Sequence, residues 1–118
     1  MASYQVKVAK PAVSDLKAVS SKKDRSRILK ALERLEVTPR PRGVEKLTDR
    51  PGFLRMRVGD YRIVYSIISE RLVVLILVIR DRKDVYKALD NLDKKLAAAL
   101  MEIVEGLGTK LDGPSNLN

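Results

Sequence analysis

From Ser3 to Ala9 the chain alternates, with Tyr4, Val6 and Val8 set against Gln5 and Lys7, which predicts a half-buried strand. Pro11 suits the first turn of a helix, and Val13, Leu16 and Val19 continue at helical spacing. Ser20-Ser21 breaks that pattern. Ser21, with Asp24 three residues on, has the chemistry of a helix N-cap. Between Lys22 and Leu35 the positions Ile28, Leu29, Leu32 and Leu35 share one face, while Lys23, Arg27, Lys30 and Arg34 lie largely outside it. These segments form a helical hairpin. Thr38 to Gly52 contains Pro39, Pro41, Gly43, Pro51 and Gly52 and reads as a loop, with a short turn at Val44 to Leu47.

Three segments rich in β-branched and aromatic residues follow, Phe53–Val58, Tyr61–Ile68 and Arg71–Ile79. Gly59-Asp60 and Ser69-Glu70 separate them by two residues each, the commonest hairpin loop length, and Gly59 fits the first position of a type II′ turn. The three strands form an antiparallel meander. The strand at the front must reach the sheet across the helical hairpin, so it is expected parallel to the last meander strand. Leu89, Leu92, Leu96, Leu100 and Ile103 then recur at helical intervals, predicting a helix from Asp84 to Leu107 that Gly106 and Gly108 end. Such a helix would be about 36 Å long, more than a small sheet covers, so it folds back at Asp90-Asn91 or packs against a second copy. The order is β-α-α-β-β-β-α, an α+β fold: an N-terminal helical hairpin on a small, mostly antiparallel sheet, with a C-terminal helix. Residues 1–90 are expected to form one domain and residues 91–118 a helical extension with a polar tail.

The turn fixes a register. With Gly59 and Asp60 as turn residues, Val58 faces Tyr61, Arg57 faces Arg62, Met56 faces Ile63 and Arg55 faces Val64. Because side chains alternate, Leu54, Met56, Val58, Tyr61, Ile63 and Tyr65 share a face fit to pack on helices. The other face carries Phe53, Arg55, Arg57, Arg62 and Val64 and is expected to be open. Like charges directly opposite cost a sheet some tenths of a kcal/mol to about 1 kcal/mol. Folding alone would not select that stripe. Fixed positive charge on a rigid sheet is suited to binding a phosphate or stabilising extra charge on one.

Composition narrows the chemistry. The 118 residues contain no Cys and no His, which removes disulfides, thiolate metal sites, most zinc sites and every histidine acid or base. Net charge is +9, and residues 1–90 hold all of the excess, 21 Lys/Arg against 11 Asp/Glu, which suggests a polyanionic partner. The longest apolar run, Leu72 to Ile79, is too short for a membrane helix, and the start lacks the pattern of a secretory signal. A cytoplasmic location is therefore expected. The cluster Arg80-Asp81-Arg82-Lys83-Asp84-Val85-Tyr86 leaves the last strand. Attack by an RNA 2′-hydroxyl needs a base, charge stabilisation at the phosphate and an acid for the leaving 5′-oxygen. Without histidine, the base falls to a tyrosine amid guanidiniums, whose charge favours phenolate over the usual pKa of about 10.

The run Leu54-Arg55-Met56-Arg57-Val58-Gly59-Asp60-Tyr61-Arg62-Ile63-Val64-Tyr65, the apolar strand after it and Arg80 to Tyr86 together resemble the RelE/ParE toxin superfamily. Lys46-Leu47 and the helical hairpin match as well, and the resemblance spans residues 3 to about 89. It implies a toxin of a toxin–antitoxin pair. RelE-like members cut mRNA in the ribosomal A site without metal or other cofactor; ParE-like members share the fold and act on DNA gyrase. A catalytically inactive RNA- or ribosome-binding relative is a third reading. Carried over by motif, the catalytic residues are Arg55, Arg57, Arg62 and Tyr86, with Arg82 as the late arginine and Arg80 as its alternative. Arg55, Arg57, Arg80, Lys83 and Lys46 would bind RNA phosphates. The implied partners are a cognate antitoxin, the ribosome and mRNA, with a homodimer through the C-terminal helix as a further expectation. This chain departs from the family in having arginine at strand positions often held by lysine, and arginine gives up a proton less easily. Its residues 91–118 also exceed the usual family length.

Overall fold

The computed structural model describes residues 3–112. Strand β1 (Gln5–Val8) leads into α1 (Lys10–Lys17) and α2 (Lys22–Arg34). Then come β2 (Glu45–Lys46), β3 (Leu54–Val58), β4 (Tyr61–Ile68), β5 (Val73–Asp81) and α3 (Leu92–Asp112). Pro11 lies in the first turn of α1, and Ser21 caps α2 by accepting a hydrogen bond from the Asp24 N–H at 3.2 Å. The five strands form one sheet in the order β1-β5-β4-β3-β2, with β1 parallel to β5 and the remaining pairs antiparallel. The β3–β4 register is the expected one, residue for residue. Gly59 has φ +58° and Asp60 does not have a positive φ, as a type II′ turn requires.

Helices α1 and α2 bury Ala12, Ile28, Leu32 and Leu35 against Leu54, Met56, Ile63, Tyr65 and Ile76. The opposite face is not open over its whole extent. Phe53 and Val64 are buried there with Leu75, Leu77 and Val78, beneath Val85, Ala88, Leu92 and Ala99. The apolar residues flanking the arginine stripe required that cover. Strand β5 is consequently buried on both faces from Val73 to Ile79, which accounts for its unbroken apolar run.

Four expectations need correction. The Val44–Leu47 turn includes a two-residue strand, because Glu45 and Lys46 pair with Arg55 and Leu54. The Ser69-Glu70 link is a 3-10 turn over Ser69–Arg71 that closes on Leu72 at φ +52°. Neither Ser69 nor Glu70 suits the positive φ of a two-residue hairpin loop, so the left-handed position moves to Leu72 and β5 starts at Val73. The C-terminal helix does not begin at Asp84. Val85–Ala88 is a 3-10 turn, the chain bends at residues 89–91, and α3 starts where the Lys95 N–H bonds the Asn91 carbonyl at 2.9 Å. It therefore folds back over the sheet. Gly106 and Gly108 do not end it, since a helical glycine costs about 1 kcal/mol without forbidding the helix. From residue 113 onward the expected polar tail lies outside the described residues. No described helix is long and apolar enough to cross a membrane.

Candidate active site

Extension of β5 to Asp81 changes the arginine stripe. Arg57 pairs with Arg62 across β3–β4, and Arg62 pairs with Arg80 across β4–β5, so three arginines form one row over three strands. Alternation sends all three from the face opposite α1 and α2, since Ile63 and Ile79 beside them point toward those helices, but the Arg80 guanidinium turns back to reach α1. The row is held by particular contacts. Arg62 Nη1 donates to the carbonyls of Gly59 at 3.1 Å and Tyr61 at 3.0 Å, anchoring its guanidinium at the β3–β4 turn. Arg80 Nε donates to Asp15 Oδ1 at 2.8 Å, and the other oxygen of that carboxylate accepts the Ile79 N–H at 3.0 Å. The Asp15 side chain is only 8% exposed. It satisfies the edge of β5 where β1, paired only as far as Ile76, no longer does.

Arg57 is exposed and makes no ion pair among the described residues. Arg55 is different: its Nη2 lies 3.0 Å from Glu45 Oε1 on β2. Arg55, Arg57 and Arg62 line a groove of about 560 Å³ together with Arg42, Glu45 and Met56. The groove opens where β2 stops, since β2 pairs only with Leu54 and Arg55 and leaves Met56–Val58 without a strand partner on that side. Lys46, on β2, and Lys83, beyond β5, are exposed. The Lys83 N–H is tied to Asp81 Oδ1 at 2.8 Å.

The Arg82 N–H donates to the Asp60 carbonyl at 2.8 Å, which brings Arg82 to the β3–β4 turn beside Arg62. Its side chain has no ion partner among the described residues, whereas that of Arg80 is committed to Asp15. Tyr86 stands on the 3-10 turn Val85–Ala88 and is 66% exposed, although Val85 and Ala88 are buried in the core beneath the arginine-bearing face. Two other tyrosines are unsuited to act as bases. Burial pushes the Tyr65 phenol up to about 12, and its hydroxyl donates to the Pro39 carbonyl at 2.7 Å. Desolvation and then the charges of Asp24, Asp81 and Asp60 raise that of Tyr61.

Sequence reasoning missed Arg42, Asp15 and Lys95. Asp15 did carry a signal, since it falls between Ala12 and Val19 on the buried side of α1. Arg42 sits in a loop without periodicity and carried none. Lys95, on α3, donates to the Ala88 carbonyl at 3.1 Å. Burial, with Arg80 adding to it, lowers its pKa against the opposing pull of Asp15.

The family model described as the ParE toxin of type II toxin–antitoxin systems, parDE, matches residues 6–86. No curated protein matches the chain. Among solved structures, the archaeal RelE–RelB complex from Pyrococcus horikoshii aligns at 34% identity and a TM-score of 0.60, over 68% of this chain and 96% of that one. A RelBE toxin–antitoxin complex from Mycobacterium tuberculosis aligns at 26% identity and a TM-score of 0.61, over 69% and 93%. The RelB–RelE antitoxin–toxin complex from Methanococcus jannaschii gives 25% and 0.58, over 70% and 96%. The matched segment spans β1 through Tyr86, and with it the arginine row, so the chain belongs to the RelE/ParE superfamily as a RelE-like toxin of a type II toxin–antitoxin system.

Proposed function

We propose that this toxin is a ribosome-dependent mRNA endonuclease that cuts by 2′-hydroxyl attack. The observation that carries the reading is the row Arg57–Arg62–Arg80 across three adjacent strands, with Arg57 and Arg62 directly opposed and the exposed Tyr86 on the turn that follows β5. That arrangement works against folding and suits a phosphorane. In the reaction, the 2′-oxygen forms its bond to phosphorus and its proton passes to the Tyr86 side-chain oxygen. The bond from phosphorus to the 5′-oxygen breaks, and that oxygen is protonated by Lys83 or by water. Arg62 and Arg82, meeting at the β3–β4 turn, stabilise the phosphorane charge. Arg57 and Arg55 hold phosphates, and Lys46 and Arg80 add to the field. The products are a 2′,3′-cyclic phosphate and a free 5′-hydroxyl.

A cognate antitoxin is the proposed partner that keeps the toxin silent, in line with the three aligned relatives, each a complex with an antitoxin. The basic surface of residues 1–90 favours an acidic one. The test is single-turnover cleavage of mRNA on programmed ribosomes with analysis of the new ends. Tyr86→Phe is expected to slow cleavage by about 10²–10⁴ and Arg62→Ala by about 10²–10³. Wild-type rates in both variants would remove this active site. The matched family model bears the ParE description, so gyrase poisoning by a wild-type protein that cuts nothing on ribosomes would establish the other branch.

A further inference from the structure

The 3-10 turn that carries Tyr86 is four residues long and ends in a bend, where the Ala88 carbonyl has no backbone partner among the described residues and the Leu89 carbonyl takes a long bond from the Leu92 N–H at 3.4 Å. Two cations from distant parts of the chain also bond these carbonyls. Lys95 Nζ, on α3, donates to the Ala88 carbonyl at 3.1 Å. Arg50 Nε, from the loop before β3, donates to the Leu89 carbonyl at 3.1 Å, and its Nη2 lies 3.9 Å from Asp90 Oδ1. At the other end of the turn, the Asp84 N–H bonds the Asp81 carbonyl at 2.9 Å.

We propose that Arg50 and Lys95 are positioning residues that clamp the C-terminal end of this turn and so fix Tyr86 against the arginine row. The inference rests on the assignment of Tyr86 as the base. Water or a neutral side chain could satisfy two carbonyls at less cost. Lys95 instead loses solvation and sits in the field of Arg80, which is also why its pKa falls. A charged donor bonds a carbonyl about twice as strongly as a neutral one, which suits a tether that must resist movement. Tyr86 lacks a side-chain hydrogen bond of its own among the described residues, so its backbone is what holds it. The clamp also gives α3, which lies outside the matched segment 6–86, a part in the chemistry.

The full chain is tested as Arg50→Met, Lys95→Met, Lys95→Arg and Tyr86→Phe, with the exposed neighbour variant Lys94→Met as control. Single-turnover cleavage is followed against toxin concentration, and amide hydrogen exchange is followed at Lys87 and Leu89. The two methionine variants should lose about 10- to 100-fold in maximal rate, with half-saturation moving less than about two-fold. Lys95→Arg should recover most of the rate, and Lys94→Met should match wild type. Exchange at Lys87 and Leu89 should accelerate in the methionine variants while the β4–β5 amides stay protected. Wild-type maximal rates in both methionine variants, or unchanged exchange at the turn, would overturn the clamp. If Tyr86→Phe itself cuts at the wild-type rate, the base assignment fails, and exchange alone decides whether the two cations hold the turn. Should Lys95→Met not fold, Arg50→Met and Lys95→Arg decide the outcome by the same measurements.

Discussion

Arg55 and Arg57 differ by one ion pair. The Glu45 carboxylate occupies Arg55, while Arg57 has no such partner among the described residues. An exposed pair of this kind contributes little stability, about 0–1 kcal/mol, but it withholds a cation from RNA. Glu45→Gln should therefore tighten RNA binding a few-fold and steepen its salt dependence by somewhat less than one unit of slope. Arg57→Ala should weaken binding more than Arg55→Ala does. Anisotropy of a labelled RNA oligomer across a salt series measures both, and equal losses for the two arginines would show that Glu45 withholds nothing. Arg57 and Arg62 were legible in the sequence as a facing pair because Gly59-Asp60 pins the register. Arg80 was not readable as the third member, because its place depends on where β5 starts, set by Leu72 taking the left-handed position, and on a one-residue register shift between Val64 and Tyr65.

Tyr65 links two elements, extending from β4 to the Pro39 carbonyl in the loop before β2. Its pKa is about 12 in the fold against about 10 unfolded. Above pH 10 the unfolded chain loses this proton first, so the contribution of Tyr65 is intact below about pH 10 and falls as pH rises toward 12. At pH 11 that loss is about 1 kcal/mol. Tyr65→Phe removes the hydrogen bond and should cost about 1 kcal/mol at pH 8. At pH 11 it should be as stable as wild type or slightly more so. Urea denaturation at both pH values checks the crossover, and a constant difference would show that the phenol titrates alike in both states. At this scale most of the architecture was legible: the helical hairpin, the meander and the parallel placement of β1 all follow from periodicity and turn chemistry. The break at residues 89–91 was not, since Leu89 and Leu92 keep helical spacing across it. The bend comes from Asp90-Asn91, poor helix formers, and from Leu92 being needed over the sheet.

In the whole molecule, α3 is half of a core layer. Leu92 and Ala99 are buried with Phe53, Val64 and Val78, and Leu96, Leu100 and Ile103 pack around them. Ending the chain after Leu89 should lower stability by about 3 kcal/mol or more, since one buried leucine alone contributes about 1.5–3 kcal/mol. A melting curve of the truncated chain measures this; an unchanged midpoint would mean that the helix is dispensable to the fold. Met101 and Val104 remain exposed on its outer side, while the stripe expected to fold back or meet a second copy is taken up by the sheet. The short reach of β2 has a separate consequence. Beyond Arg55 the outer side of β3 offers unpaired backbone groups, and such a margin can recruit a strand from another molecule and seed aggregates. Arg55, Arg57 and Arg62 stand around it, and charge at a strand margin is what deters that recruitment. The guanidiniums proposed to disarm messenger RNA thus also act as gatekeepers of solubility. Stripping them together to obtain a harmless toxin removes the safeguard along with the proposed activity, so the protein would then precipitate, whereas replacement by lysine would keep it in solution.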